Sequence, residues 1–371
     1  MKKVFIITGE HSGDKHASGV VRELKKINPD IQIEAVGGVN LKNEGVKLFC
    51  DHSKMSGIGL TPKIILDHFT LGKRIVEYLK NDYKPDLVLL VDYGTFNLAI
   101  SKVLKKEGFK CFYFIAPQVW ASRKWRIKTI KKNIQKVFTI FPFEKEMYDK
   151  EGVEAQFVGH PLNFELPPAV DRKEFFARHN LDENKRLISI FPGSRLFEIK
   201  HLLKIFLGAV KIIEKKCPDV QFVFSHAPNL DDKAFCIDYK TIKGENQALL
   251  SVSDALILAS GTVALEATLY KTPMLIAYRG PLFFYFVYLL VRSIKKACLA
   301  NIISGKDIVR EFLMFDAKSQ PIADEAIRLL EDKDYRNKQI GELGEVQEML
   351  GKMHCVEEVA KSINYELTKG E

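Results

Sequence analysis

The chain has 371 residues, 46% of them hydrophobic and 28% charged. That balance excludes a disordered or low-complexity scaffold, and the length exceeds one ordinary core, so two domains are expected. Lysine and arginine (56) outnumber aspartate and glutamate (47) for a formal charge of +9 at pH 7, which suits an anionic partner: nucleic acid, phospholipid headgroups or a phosphorylated substrate.

Met1-Lys2-Lys3 leads straight into the apolar run 4–8, too short for a signal-peptide core and followed by no small-residue cleavage site, so the protein is expected in the cytoplasm. Residues 3–8 read as a strand and 15–26 as a helix. Strands follow at 31–36 and 87–92, a helix at 98–106, and strands at 110–115 and 137–141. Before the last of these, 121–136 carries seven basic residues (Arg123, Lys124, Arg126, Lys128, Lys131, Lys132, Lys136) and no acid, with Ile127, Ile130 and Ile134 at helical spacing. It reads as a basic amphipathic helix. One reading is a solvated face with its apolar stripe on the core; the other is a surface for anions, with Arg123, Lys124 and Arg126 turned to a membrane.

The first unit ends near Gly159-His160-Pro161, and 162–180, with Pro167 and Pro168, reads as the linker region. The rhythm then restarts: strands at 187–191, 220–225, 255–259 and 274–278, helices at 198–215 and 262–270, and a charge-rich helical tail from about 322. Strands alternating with helices predict parallel sheets with crossover helices. The fold expected is α/β with two facing Rossmann-like domains and a cleft between them: 1–165, 166–345, and a tail 346–371 packing back on the first domain. Residues 281–291 hold eleven residues without a charge, followed by Arg292, Lys295 and Lys296. A spanning helix needs roughly 20 apolar residues. The segment is therefore either a buried core helix or one that inserts Phe283, Phe284 and Phe286 partway into a lipid surface. The six cysteines stand singly and the nine histidines show no ligand spacing apart from Glu10-His11 with His16 at a loop-to-helix start, so reduced thiols, no metal and no cofactor are expected.

Three strand-end loops carry candidate chemistry. Gly9-Glu10-His11-Ser12-Gly13-Asp14 follows the first strand; its glycines let the backbone turn tightly at a helix start, where an anion is favoured, although capping by Ser12 and Asp14 accounts for half of it. Pro192-Gly193-Ser194-Arg195 offers close backbone approach and a guanidinium fork for a phosphate, with Glu198 one turn into the helix. Ser260-Gly261-Thr262, closing a buried strand, could hold a diphosphate with amides and hydroxyls, while Glu266 accepts from vicinal ribose hydroxyls; a capping box explains the same local pattern. Asp92, at the end of a buried strand, is the candidate general base, with Asn97 holding a substrate hydroxyl beside it. Glu10, His11 and His160 are the rivals, and capping is the structural alternative for Asp92.

Six motifs in order resemble the lipid A disaccharide synthase family: Gly9-Glu10-x-Ser12-Gly13-Asp14, Ala116-Pro117-Gln118-Val119-Trp120-Ala121, Phe141-Pro142-Phe143-Glu144, Val158-Gly159-His160-Pro161, Pro192-Gly193-Ser194-Arg195-x-x-Glu198 and Ala259-Ser260-Gly261-Thr262-x-x-Leu265-Glu266. The resemblance implies the GT-B architecture. It implies inverting transfer of a diacylated glucosamine from UDP to 2,3-diacylglucosamine 1-phosphate (lipid X), giving a β-1,6 disaccharide and UDP. Gly9, Ser12, Gly13, Asp14, Gln118, Trp120 and His160 would then lie on the acceptor side, and Gly193, Ser194, Arg195, Glu198, Ser260, Gly261, Thr262 and Glu266 around the UDP-sugar. The protein would sit peripherally on the anionic inner-membrane surface; a homo-oligomer is compatible with the sequence. Four positions depart from the family pattern: Gly94 replaces a proline, Thr95 an acidic residue, Leu60 a glutamate and Ala300 a proline. Three competing readings stand: a UDP-N-acetylglucosamine 2-epimerase, a nucleic-acid binder, and a non-catalytic lipid-binding relative. The second has only Trp125 interleaved in its basic segment and no recognition motif, so no nucleic-acid partner is expected.

Overall fold

The computed structural model describes residues 1–51, 62–231, 235, 237–281 and 296–369. They fall into two compact units, Met1–Phe164 with Leu350–Glu371, and Glu165–Met349. Phe283, Phe284, Phe286 and Leu60 lie outside the described residues.

In the first unit β1 (Lys3–Ile7), β2 (Gln32–Gly37), β3 (Lys47–Asp51), β4 (Leu87–Val91), β5 (Cys111–Phe114), β6 (Lys136–Thr139) and β7 (Ala155–Phe157) form one parallel sheet in the order β3-β2-β1-β4-β5-β6-β7. β4, Leu-Val-Leu-Leu-Val, is buried along its whole length, as a strand covered on both faces must be. Helices α1 (His11–Ile27), α2 (Val39–Asn43), α3 (Pro62–Tyr78), α4 (Gly94–Lys106), α5 (Arg126–Asn133) and α6 (Pro142–Lys150) cross over between strands. Along α1, Ala17, Val20, Val21 and Leu24 recur at three- and four-residue intervals and pack on β1 and β4. Each large side chain so buried contributes roughly 1.5–3 kcal/mol.

The basic segment is shorter as a helix than its spacing predicts. Only Arg126–Asn133 is helical, because the Gln135 amide bonds the Cys111 carbonyl at 2.9 Å and pulls the chain into the sheet. Ile127, Ile130 and Ile134 are in the core, so the apolar stripe faces inward.

The second unit repeats the plan with β8 (Arg186–Phe191), β9 (Val220–His226), β10 (Thr241–Lys243), β11 (Ala255–Ala259), β12 (Met274–Tyr278) and β13 (Arg310–Leu313), parallel in the order β10-β9-β8-β11-β12-β13. After α7 (Leu162–Glu165), part of the expected linker is built into this unit. Helix α8 (Arg172–Arg178) is capped by Asp171, buries Phe175 and Phe176, and ties Arg172 to Asp254 at 2.7 Å. On the long α9 (Leu196–Lys216), Leu202, Phe206, Ala209, Val210 and Ile213 face the sheet.

The chain then returns to the first unit. The last helix, Cys355–Thr368, inserts Cys355, Val359, Ala360, Ile363 and Leu367 into the core around β1. The return is locked by His160 N–H on the Leu350 carbonyl at 3.0 Å and by Gly159 (φ 86), where a Cβ would stand 2.7 Å from the Met353 oxygen. Among the described residues no helix is long and apolar enough to cross a membrane, and the five described cysteines are free thiols.

Candidate functional site

Open parallel sheets bind ligands beyond the carboxyl ends of their strands, at the point where strand order reverses. That point lies between β1 and β4 in the first unit and between β8 and β11 in the second. The loops at these four ends are the three glycine-bearing loops and the Asp92 turn.

In the first unit, Asp92 and Tyr93 both occupy the left-handed region (φ 51 and 53) as β4 turns into α4. Two such residues in succession cost conformational energy and persist only where their surroundings over-determine them. Tyr113 Oη and Asn97 Nδ2 both donate to the Asp92 carbonyl, at 2.8 and 2.9 Å. The Tyr93 amide donates to Asp92 Oδ1 at 2.8 Å, and Ser12 Oγ to Oδ2 at 3.3 Å. The start of α1 approaches because Gly13 has no side chain: a Cβ there would stand 3.3 Å from that of Asp92. Asp92 does not cap α4, whose N-cap is Tyr93.

The ring of Tyr93 lies directly over Gly9, where any Cβ would collide with it at 2.2 Å, and its phenol is hydrogen-bonded to His68 of α3. Burial, and secondarily the Glu10 carboxylate, push that phenol up to about 12. Glu10 and His11 are exposed beside the turn. Tyr93, Tyr113 and His68 were missed at the sequence level. Tyr93 adjoins Asp92, which was a usable signal; His68 lies in a stretch with no assigned element.

Several residues expected to meet ligand instead hold the fold. Asp14 is fully buried and accepts from the Gly38 and Asn40 amides at 2.6 and 2.8 Å, so it anchors α2. Asn97 is buried and its Nδ2 clamps the ends of β1 and β4 through the carbonyls of Ile7 and Val91, while its Oδ1 has no hydrogen-bond partner among the described residues. Trp120 is buried against Phe141 and Phe143 and donates to Glu144 at 2.8 Å. His160 is buried, its ring tilted against Phe141 at 5.1 Å between centroids, with Nδ1 accepting the Leu162 amide. Of the acceptor-side set, Ser12 and Gln118 are exposed. Arg123 and Lys124 are exposed, whereas Arg126, expected on a membrane-facing surface, turns in and donates to Thr95 Oγ1 at 3.3 Å.

In the second unit, Gly193 (φ 118) has no room for a side chain, because a Cβ would meet Glu198 Oε2 at 2.4 Å. That oxygen accepts the Ser194 and Arg195 amides at 2.9 and 3.2 Å. Those two amides are thus occupied by Glu198, which positions the loop. The Arg195 side chain is 72% exposed, with Nη1 3.6 Å from Glu198 Oε1. At the end of β11, Gly261 and Thr262 are exposed and the amides of Gly261, Thr262 and Val263 donate to no other described group. Glu266 is half-buried, and burial raises its carboxyl above the ordinary range. Beyond β12 and β13 a cavity of about 210 Å³ is lined by His201, Arg279, Gly280, Pro281, Met314 and Phe315, of which the sequence signalled only Pro281, as the start of the uncharged run. Among the described residues no cluster of three or more acidic, histidine or cysteine side chains could hold a metal.

Comparison with known proteins accords with this layout. Residues 4–363 match the model of a family described as lipid-A-disaccharide synthetase. The chain is similar to the lipid-A-disaccharide synthases of Coxiella burnetii (37% identical, covering 98% of each chain) and Geobacter sulfurreducens (35%, covering 96% of this chain and 95% of the relative). Among solved structures, the UDP-GlcNAc 2-epimerase from Neisseria meningitidis bound to UDP-GlcNAc aligns with a TM-score of 0.62 at 17% identity, covering 99% and 100% of the two chains. The glycotransferase of kitacinnamycin aligns at 0.66 and 12%, covering 99% and 98%. At such identities these two show the GT-B fold alone.

Proposed function

The chain belongs to the lipid-A-disaccharide synthetase family, hexosyltransferases of lipid A biosynthesis, and from that premise we propose that it transfers 2,3-diacylglucosamine from UDP to the 6-hydroxyl of 2,3-diacylglucosamine 1-phosphate. The acceptor hydroxyl attacks the anomeric carbon, the bond to the UDP oxygen breaks, and the hydroxyl proton passes to a base, with inversion to a β-1,6 link. The observation that supports the assignment most directly is the Asp92 carboxylate, held at the switch point of the first sheet by Ser12 and its own turn. Asp92 is the base, and Glu10 its exposed neighbour across the loop.

On the donor side, the amides after β11, which donate to no described group, and the exposed Arg195 guanidinium receive the diphosphate, stabilising charge as UDP leaves. Glu266 takes the ribose hydroxyls. Incubating the full chain with both acylated substrates should yield the disaccharide 1-phosphate and UDP by mass spectrometry. No product under conditions where UDP binds refutes the assignment.

An anionic membrane surface is the further partner, supported by the exposed Arg123 and Lys124 and by the aromatic run 281–291. Replacing Phe283, Phe284 and Phe286 with serine is expected to release the protein from anionic liposomes while UDP affinity stays. Retention on liposomes refutes the partner.

A further inference from the structure

Arg126 is half-buried, yet among the described residues no carboxylate pairs with it. Among the described residues neither Arg126 nor Arg123 enters an ion pair, and 121–136 contains no acid from which one could be drawn. Its guanidinium lies over the start of α4: Nη2 donates to Thr95 Oγ1 at 3.3 Å, and Nη1 is 3.7 Å from where a Cβ on Gly94 would stand. A side chain at 94 would crowd Pro117, meeting its Cγ at 2.7 Å, while leaving ordinary contact with the guanidinium. Arg123, held at φ 56, adds like charge: burial first, and then Arg123, push the Arg126 guanidinium down from its ordinary value. Taking a guanidinium partly out of water beside another cation is costly, and a bound anion relieves both terms. The planar fork of arginine matches the oxygens of a phosphate.

We infer that Arg126, supported by Arg123 and the Thr95 hydroxyl, binds the phosphate monoester of the acceptor and makes the first unit select a phosphorylated sugar. The inference rests on the acceptor reading of the Asp92 edge given above. Two other anions share this chemistry, the donor diphosphate and a phospholipid headgroup, and the test separates them.

The full chain in detergent micelles is titrated calorimetrically with 2,3-diacylglucosamine 1-phosphate and with its phosphate-free counterpart. The wild type is expected to prefer the phosphorylated ligand by about 10- to 100-fold, the range of a hydrogen-bonded charge. Arg126→Gln removes most of that preference, Arg126→Lys keeps part of it, and the exposed Arg123→Gln loses several-fold. In the two Arg126 variants UDP affinity and binding to phosphatidylglycerol vesicles do not follow; Arg123→Gln is read on UDP affinity alone. If Arg126→Gln unfolds, the lysine variant and Arg123→Gln decide. A preference that survives in all three variants overturns the inference. So does a parallel fall in UDP affinity, which would assign the guanidinium to the donor, or a loss seen only on vesicles. Should the protein bind as described yet make no disaccharide, the inference stands and the transferase assignment falls. Equal turnover of both acceptors gives the reverse.

Discussion

Replacing Asp92 with asparagine isolates charge from structure. Asparagine is at home in the left-handed region, so φ 51 brings little added strain. Its side-chain oxygen still accepts the Tyr93 amide now held at 2.8 Å, and the Ser12 hydroxyl can reverse and accept from the new amide in place of its 3.3 Å bond to Oδ2. The turn is independently clamped by Tyr113 and Asn97 on the Asp92 carbonyl. Stability should therefore change by no more than about 1 kcal/mol, a few degrees in Tm for a chain of this size. Loss of a general base removes about 10²–10⁴ in rate. The expected result is turnover down at least a hundredfold in a single-turnover disaccharide assay, with UDP affinity unchanged. Asp92→Ala serves as the contrast: it also loses the Tyr93 bond and tolerates positive φ poorly, so it should melt lower as well. Near-normal turnover of Asp92→Asn would refute the assignment and move it to Glu10. A large fall in Tm would mean that the carboxylate is structural.

Glu266→Ala and Arg195→Ala should each weaken UDP binding by roughly 1.5–3 kcal/mol in calorimetry; two wild-type affinities would place the donor site elsewhere. Gly9→Ala must displace the Tyr93 ring, which a Cβ would approach to 2.2 Å, and is expected to cost about 1–3 kcal/mol in denaturant unfolding together with most of the activity; an unchanged midpoint would show that the ring moves freely. Burial holds the Glu144 carboxyl at about 7 against an ordinary 4.5, so between those values the folded state binds the extra proton. Its contribution to stability is full below 4.5 and is lost as pH rises through 7, by roughly 3 kcal/mol in all. Glu144→Gln, which still accepts from Trp120, should flatten that part of the stability profile, and an identical slope in the variant would rule the group out.

The α/β class, the two-unit plan and the strand-end loops were all legible in the sequence. A parallel strand covered on both faces must be apolar throughout, and 87–91 and 255–259 say so directly. The outer strands Lys47–Asp51, Ala155–Phe157, Thr241–Lys243 and Arg310–Leu313 were passed over because edge strands are short and half-wet and carry no such run. The linker reading of 162–180 failed over α8 because two prolines outweighed the adjacent phenylalanines, whose burial only the sheet provides. Tertiary structure also decided what each polar motif residue does. Asp14, Asn97, Trp120, His160 and Glu198 are the residue types that a ligand site would use, and their sequence pattern cannot say whether the partner is a substrate or a backbone amide. For Asp14 that partner lies 24 residues away, for Asn97 90, and for Arg126 it is Thr95, 31 residues back. Partners so remote meet only when the sheet assembles, so the chemistry left for ligand is what the fold has not already consumed.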